Sequence, residues 1–232
     1  MNGSFTWDRF ASLPIVGILR RFPADVVRHA ALAAQRGGLT TLEITIDTPA
    51  AFSILAMLRK TVGATMNIGA GTVCTLADLQ NARAAGAEFI VTPVVVSEVI
   101  RTAKAYGLPV FAGAYTPTEI FTAWQSGADM IKIFPADQLG PAFIKGVRGP
   151  FPQIPLLPTG GVTLETIGDF AAAGATGFGI GSPLFNPQQM SLGNWDWVEQ
   201  QTKKFSIALT NTKLAGPRPQ ARKITASRKG ND

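Results

Sequence analysis

The chain of 232 residues is poor in the side chains from which many reactive sites are built: it has one cysteine, Cys74, and one histidine, His29. A single thiol excludes an internal disulfide and any multi-cysteine metal cluster, and it suits a reducing compartment. A single imidazole excludes a two-histidine metal site. His29 falls on an expected helix, away from strand ends, and reads as a surface residue. Charge is sparse as well, at 16% of residues, and no stretch reaches the roughly 18 apolar residues needed to span a bilayer. Met1–Phe10 lacks the basic region and apolar run of a secretory signal. The apolar fraction of 46% is ample for a sizeable core and excludes disorder throughout. A soluble, cytoplasmic globular protein with no membrane partner is expected.

The formal net charge of +6 is a weak argument for nucleic acid once it is located. Residues 213–232 hold Lys213, Arg218, Arg222, Lys223, Arg228 and Lys229 against Asp232 alone, so residues 1–212 carry 15 basic and 14 acidic side chains. A near-neutral body is no electrostatic footprint for a specific nucleic acid. The terminal stretch, rich in Pro, Gly and charge, is expected to be a disordered basic tail (213–232) after one folded domain (1–212).

Short β-rich runs begin every 20 to 26 residues: Ile15–Leu19, Thr41–Ile46, Met66–Ala70, Phe89–Thr92, Val110–Gly113, Met130–Phe134, Leu156–Thr159 and Gly177–Gly181. Between them lie segments with apolar residues at three- and four-residue spacing, such as Ala24–Arg36, Thr75–Ala85, Ser97–Tyr106, Pro117–Ser126 and Leu164–Ala173. Gly37, Gly86, Gly107, Gly127 and Gly174 close them, as glycines able to take positive φ. Eight such units predict a (β/α)8 TIM barrel with a short leading helix near Phe5–Ser12. A doubly wound sheet fits less well, because the units are evenly spaced and no Gly-x-Gly-x-x-Gly follows the first strand. In a barrel, chemistry belongs at the C-terminal ends of the strands.

Parallel barrel strands are buried on both faces, so polar residues inside them are informative. Lys132 interrupts the apolar run 130–134, sharing a face with Met130 and Phe134 while Ile131 and Ile133 face the other way. A buried ammonium is costly unless paired or neutralised, and a desolvated lysine amine is a nucleophile toward carbonyl carbon. Snorkelling or a structural ion pair is the plainer reading. In the second strand, Thr41, Glu43, Thr45 and Asp47 alternate with Leu42, Ile44 and Ile46. The polar set must therefore face the lumen, where Glu43 joins Lys132 either as proton-transfer partner or as a structural ion pair. Two glycine clusters, 158–162 and 177–182, follow the seventh and eighth strands. Gly160, Gly161, Gly181 and Ser182 are placed there to bind phosphate through backbone N–H groups, or else simply to make tight turns.

The motifs L-E-I-T-I-D-T (42–48), G-A-G-T-V (69–73), V-T-P (91–93), I-K-I-F-P-A-D (131–137) and P-T-G-G-V (158–162) occur in an order that resembles a known family. It is that of the 2-keto-3-deoxy-6-phosphogluconate / 4-hydroxy-2-oxoglutarate aldolases, with the 2-dehydro-3-deoxy-6-phosphogalactonate aldolases. The resemblance runs from about Leu13 to Phe185 and omits the tail. It implies a class I aldolase, usually a homotrimer, cleaving a keto acid phosphate to pyruvate and glyceraldehyde 3-phosphate. No metal or cofactor is implied beyond a covalent imine on Lys132. By resemblance, Glu43 is the general acid/base, Thr72 lies at the pyruvyl carboxylate, and Pro93 and Phe134 line the imine pocket. Gly160, Gly161, Gly181 and Ser182, preceded by Thr159, match the phosphate end. Asp47 stands where gluconate-type members have arginine, and Arg20 matches a galactonate-type arginine, whereas Thr159 is gluconate-like. The gluconate and galactonate epimers are thus both admitted. A phosphosugar epimerase or isomerase using Glu43 and Lys132 for proton transfer is the alternative enzyme, and a non-catalytic ligand-binding barrel the alternative outside catalysis.

Overall fold

The computed structural model describes residues 4–210 together with Thr212, Leu214, Gly216, Pro217 and Gln220. The basic tail expected from residue 213 onward therefore lies almost wholly outside the described residues. Helix α1 (Trp7–Ser12) leads into β1 (Ile15–Leu19), α2 (Ala24–Arg36), β2 (Thr41–Thr45), α3 (Ala51–Thr61), β3 (Asn67–Gly71) and α4 (Leu76–Ala84). Then come β4 (Ile90–Thr92), α5 (Ser97–Ala105), β5 (Val110–Ala114), α6 (Pro117–Gln125), β6 (Met130–Ile133), α7 (Ala136–Arg148) and β7 (Leu156–Pro158). The chain continues through α8 (Ile167–Ala172), β8 (Phe178–Ile180), α9 (Pro187–Ser191) and α10 (Trp195–Thr210). All strand pairings are parallel, in the order β7-β6-β5-β4-β3-β2-β1-β8. A bridge between Thr159 and Gly179, with Thr176 N–H donating to Leu156 at 3.0 Å, joins β7 to β8 and completes the ring. This is a (β/α)8 barrel.

The alternation in the strands sorts side chains into two cores. Leu42, Ile44, Ile131 and Ile133 face the helices in the larger one. Val16, Val91, Phe111, Met130 and Leu157 point inward and, with Phe10 and Phe89, fill the lumen near the strand N-termini. Phe5 and Trp7 pack against this inner cluster from below, with Phe5 and Phe89 centroids 5.5 Å apart. Each such side chain contributes about 1.5–3 kcal/mol by leaving water. Asn67 locks the plug in place: its Oδ1 accepts from Thr6 N–H at 3.1 Å, and its Nδ2 donates to Thr6 O at 3.1 Å and Thr41 Oγ1 at 3.2 Å.

Two buried carboxylates fix strand starts at this end. Asp129 receives Lys104 Nζ on both oxygens, at 2.7 and 2.8 Å, and accepts from Val110 N–H at 2.8 Å. Glu88 pairs with Arg59 at 2.7 Å and accepts from Ile68 N–H at 2.7 Å.

The helix-to-strand joints follow the expected chemistry, with one correction. Gly86, Gly127 and Gly174 take φ of 90°, 106° and 105°, and the alanine after each donates back to the carbonyl five residues earlier. At the end of α2, however, Gly37 has φ −73° and Gly38 takes the left-handed turn at 99°. Gly37 is needed for a different reason: a Cβ there would lie 2.5 Å from Thr202 Cβ on α10.

Candidate active site

The lumen changes character toward the strand C-termini. Above the aromatic layer sit Glu43, Lys132, Thr45, Thr92 and Thr159, all buried. Register places Glu43 between Ile18 and Gly69, and Lys132 between Gly113 and Leu157. Glycines in the neighbouring strands vacate the volume these groups use. A Cβ on Gly71 would fall 1.7 Å from Glu43 Oε1, one on Gly113 would meet Pro93 O at 2.2 Å, and one on Gly179 would meet Thr159 Oγ1 at 2.1 Å. Isolated glycines within strands were the signal for this close approach, and sequence reasoning passed over it.

Glu43 is 1% exposed and its Oε1 has no hydrogen-bond partner among the described residues. Burial pushes its carboxyl above the usual carboxylate range. The charges of Lys132 and Arg20 pull the other way, and Asp47 adds to the rise. Lys132 is 8% exposed, with Nζ 5.3 Å from the centroid of the Phe134 ring. The two groups share the lumen, but no ion pair within 4.0 Å joins them or links either to another described residue. The structural ion pair that sequence reasoning admitted for both is therefore absent among the described residues.

At the rim, Arg20 donates from Nε to Asp47 Oδ1 at 3.3 Å and from Nη2 to Thr72 Oγ1 at 3.1 Å. Arg21, which sequence reasoning did not single out, donates from Nε to Asp47 Oδ2 at 3.0 Å. Partial burial would raise the Asp47 carboxyl, but the Thr45 hydroxyl and the two arginines outweigh it and hold it below the usual range. Pro93 follows β4, half-buried, while Phe134 stands 40% exposed just after β6.

A cleft of about 660 Å³ opens across the rim. It is lined by Ile18, Arg20, Arg21, Phe134, Thr159, Gly160, Gly161, Gly181 and Ser182, among others. Gly160 and Gly161 take successive positive φ of 88° and 71°, and a Cβ on Gly161 would lie 2.6 Å from Asp137 Cβ. Only glycine holds that turn so close to the first residues of α7. Larger still is a groove of about 1040 Å³ at the opposite, N-terminal end, framed by last turns of α3, α4 and α5; it holds none of these groups.

The remaining candidates are structural. His29 is exposed and stacks on Trp195, with centroids 5.3 Å apart. Burial and the charge of Asp78 push the Cys74 thiol up, away from the reactive thiolate. Among the described residues no group of three His, Cys, Asp or Glu is placed to hold a metal ion, and no helix is long and apolar enough to cross a membrane.

Fold and site together define a class: a parallel barrel presenting a buried amine and a buried carboxyl beneath a glycine-lined rim. The chain belongs to the KDPG and KHG aldolase family, whose model matches residues 8–201. It is therefore an aldolase, a lyase. It is 36% identical to the 2-dehydro-3-deoxy-6-phosphogalactonate aldolase of Escherichia coli over 178 residues, 76% of this chain and 87% of the relative. It is equally 36% identical to the 2-dehydro-3-deoxy-phosphogluconate aldolase of Pseudomonas aeruginosa over 194 residues, covering 83% and 86%. A native KDPGal structure superposes with TM-score 0.81 at 34% identity, covering 85% of this chain and 95% of that one. A Legionella pneumophila KDPG aldolase, with pyruvate captured as a covalent carbinolamine, superposes with TM-score 0.79 at 27% identity, covering 85% and 96%.

Proposed function

We propose that this barrel cleaves a 2-keto-3-deoxy sugar acid 6-phosphate to pyruvate and glyceraldehyde 3-phosphate through an imine on Lys132. The observation that carries the reading is the buried amine and carboxyl left without ion-pair partners in one lumen. Such groups are costly to retain inside strands, and each has the chemistry of one half of the reaction.

Lys132 Nζ attacks the C2 carbonyl, and the carbinolamine loses water to give the imine. Glu43, as carboxylate, takes the proton of the C4 hydroxyl. The C3–C4 bond breaks, its electrons pass into the imine as an enamine, and the aldehyde leaves. Glu43 then returns the proton to C3, and water hydrolyses the imine to free pyruvate and amine. The covalent imine is the electron sink, so the reading needs no metal or other cofactor. Burial raises the Glu43 pKa and so favours its acid form, the form that returns a proton to C3.

Arg20 and the Thr72 hydroxyl, already hydrogen-bonded to each other, suit the substrate carboxylate. Pro93 and Phe134 shield the imine. Thr159, Gly160, Gly161, Gly181 and Ser182 suit the distal phosphate, by backbone N–H groups and one hydroxyl. Val94, Tyr115 and Phe134, each about 40% exposed or more on the loops after β4, β5 and β6, suit burial in a homotrimer. A cytoplasmic site of action follows from the metabolic substrate and the single free thiol.

The test is borohydride reduction in the presence of pyruvate, with the adduct mapped by peptide mass, followed by cleavage assays on both epimers. A pyruvyl adduct on Lys132 supports the reading. Cleavage with no adduct overturns the imine mechanism, neither adduct nor cleavage overturns the reading in favour of an epimerase or isomerase, and an adduct without cleavage of either epimer overturns the substrate class. Light scattering on the purified chain tests the trimer.

A further inference from the structure

Asp47 poses a difficulty for any site that must attract an acidic substrate. It sits in the turn just past β2 with its carboxylate on Arg20, the cation best placed for a substrate carboxylate. Left to that pair alone, the rim would be formally neutral. The third member of the cluster changes this. Arg21 Nε reaches Asp47 Oδ2 at 3.0 Å, shorter than either Arg20 contact at 3.3 Å. Its backbone is fixed to the same loop, its N–H donating to Thr48 Oγ1 at 2.8 Å. Arg21 also adopts φ 59°, a conformation that side-chain-bearing residues take up only where surroundings enforce it; Thr72, across the cluster, has φ 63°.

From this arrangement we propose that Arg21 is a positioning residue of the cleft: by taking up the charge of Asp47, it leaves Arg20 with a cationic edge free for the substrate carboxylate. Arg20 commits Nε to Asp47 and one Nη2 hydrogen to Thr72. Three of its five N–H groups remain. The trio carries a formal +1; removing Arg21 makes the rim neutral, and removing the charge of Asp47 makes it +2. The inference rests on the assignment of Arg20 to the substrate carboxylate.

Steady-state kinetics on Arg21→Gln, Arg21→Lys, Asp47→Asn, Arg20→Ala and the double variant Arg21→Gln/Asp47→Asn test it, at low and high salt. The side chain of Arg21 is 71% exposed, so its effect is that of a solvated ion pair. Arg21→Gln is expected to raise KM about two- to fivefold at low salt with kcat unchanged. The rise should shrink at high salt, and Arg21→Lys should restore most of the loss. In the Asp47→Asn background, where no carboxylate is left for Arg21 to take up, Arg21→Gln should raise KM by less than it does in the wild type. An equal rise in that background would overturn the proposal, since Arg21 would then touch substrate directly. An unchanged KM for Arg21→Gln, with Arg20→Ala still raising KM, would overturn this inference and leave the carboxylate assignment standing. If Arg20→Ala itself binds like the wild type, both fall together.

Discussion

The space behind Glu43 is an absence of side chain, and filling it is a sharp way to question the proposed chemistry. In Gly71→Ala the new methyl would lie 1.7 Å from Oε1, 2.3 Å from Cδ and 2.6 Å from Cγ of Glu43. Ordinary contact begins near 3.4 Å, so the carboxyl group must retreat by on the order of 1.5 Å. The φ of Gly71 is not in the left-handed region, so the backbone itself tolerates alanine. Overpacking of this kind costs about 1–3 kcal/mol of stability, a fall of several degrees in Tm for a chain of this size. The effect on rate is larger: a displacement of ~1 Å at the reacting group costs on the order of 10²-fold. Lys132 is untouched, so pyruvate should still be trapped by borohydride, given time. The assay pairs kcat for pyruvate release at saturating substrate with the endpoint yield of adduct and a thermal melt. A folded Gly71→Ala protein with kcat within threefold of wild type would refute the placement of Glu43 as the proton-transfer group.

Lys132→Ala should lose both trapping and cleavage while its melt is unchanged or rises, because a buried polar group without an ion-pair partner is removed; undiminished turnover would end the imine mechanism. Glu43→Gln should still form the pyruvate adduct while kcat falls about 10²–10⁴-fold. Burial raises the Glu43 pKa, so loss of its base form on acidification should set in above the usual carboxylate range, and that limb of the kcat/KM profile should vanish from the residual activity of the variant. Lys104→Met takes the balancing ammonium from the wholly buried Asp129 and should lower stability by about 3 kcal/mol in chemical denaturation with the lumen chemistry intact. Cleavage should persist after dialysis against a strong chelator; activity lost and then restored by a divalent ion would point instead to metal-assisted enolate formation.

The barrel was legible because its signals are local and repeated. Burial on both faces forces every strand to declare itself as an apolar run, and α2 and β1 have the bounds that periodicity and glycine punctuation gave them. Lys132 and Glu43 stood out for the same reason, as charges in segments with no solvent face. What period two cannot carry is distance. That Glu43 and Lys132 share a lumen follows from alternation, but that they stand apart without an ion pair depends on barrel geometry. Arg21 escaped notice because an arginine after a strand end is ordinary in sequence; only its left-handed backbone and its reach to Asp47 distinguish it. Gly37 was misread for a related reason: two adjacent glycines offer the same turn, and packing of α10 on the first one decided which of them makes it.

The aromatic plug under the lumen gives the reaction a direction in space. With Phe10, Phe89 and Phe111 filling the floor and Asn67 riveting the entering chain to it, the barrel is a well rather than a tunnel. On the proposed reaction, ketoacid, aldehyde and the water of imine hydrolysis would share the mouth between Arg20 and the glycine rim. Traffic would then be ordered by geometry: the phosphorylated aldehyde, assigned above to the glycine rim, would depart before pyruvate, and a second aldehyde arriving while the enamine persists would reverse the cleavage. A barrel opened at its base, for example by Asn67→Ala with Phe10→Ala, would admit water behind the enamine and favour its protonation over recapture. On that reading, the partition between carbon–carbon bond formation and pyruvate release would be set in part by residues far below the amine.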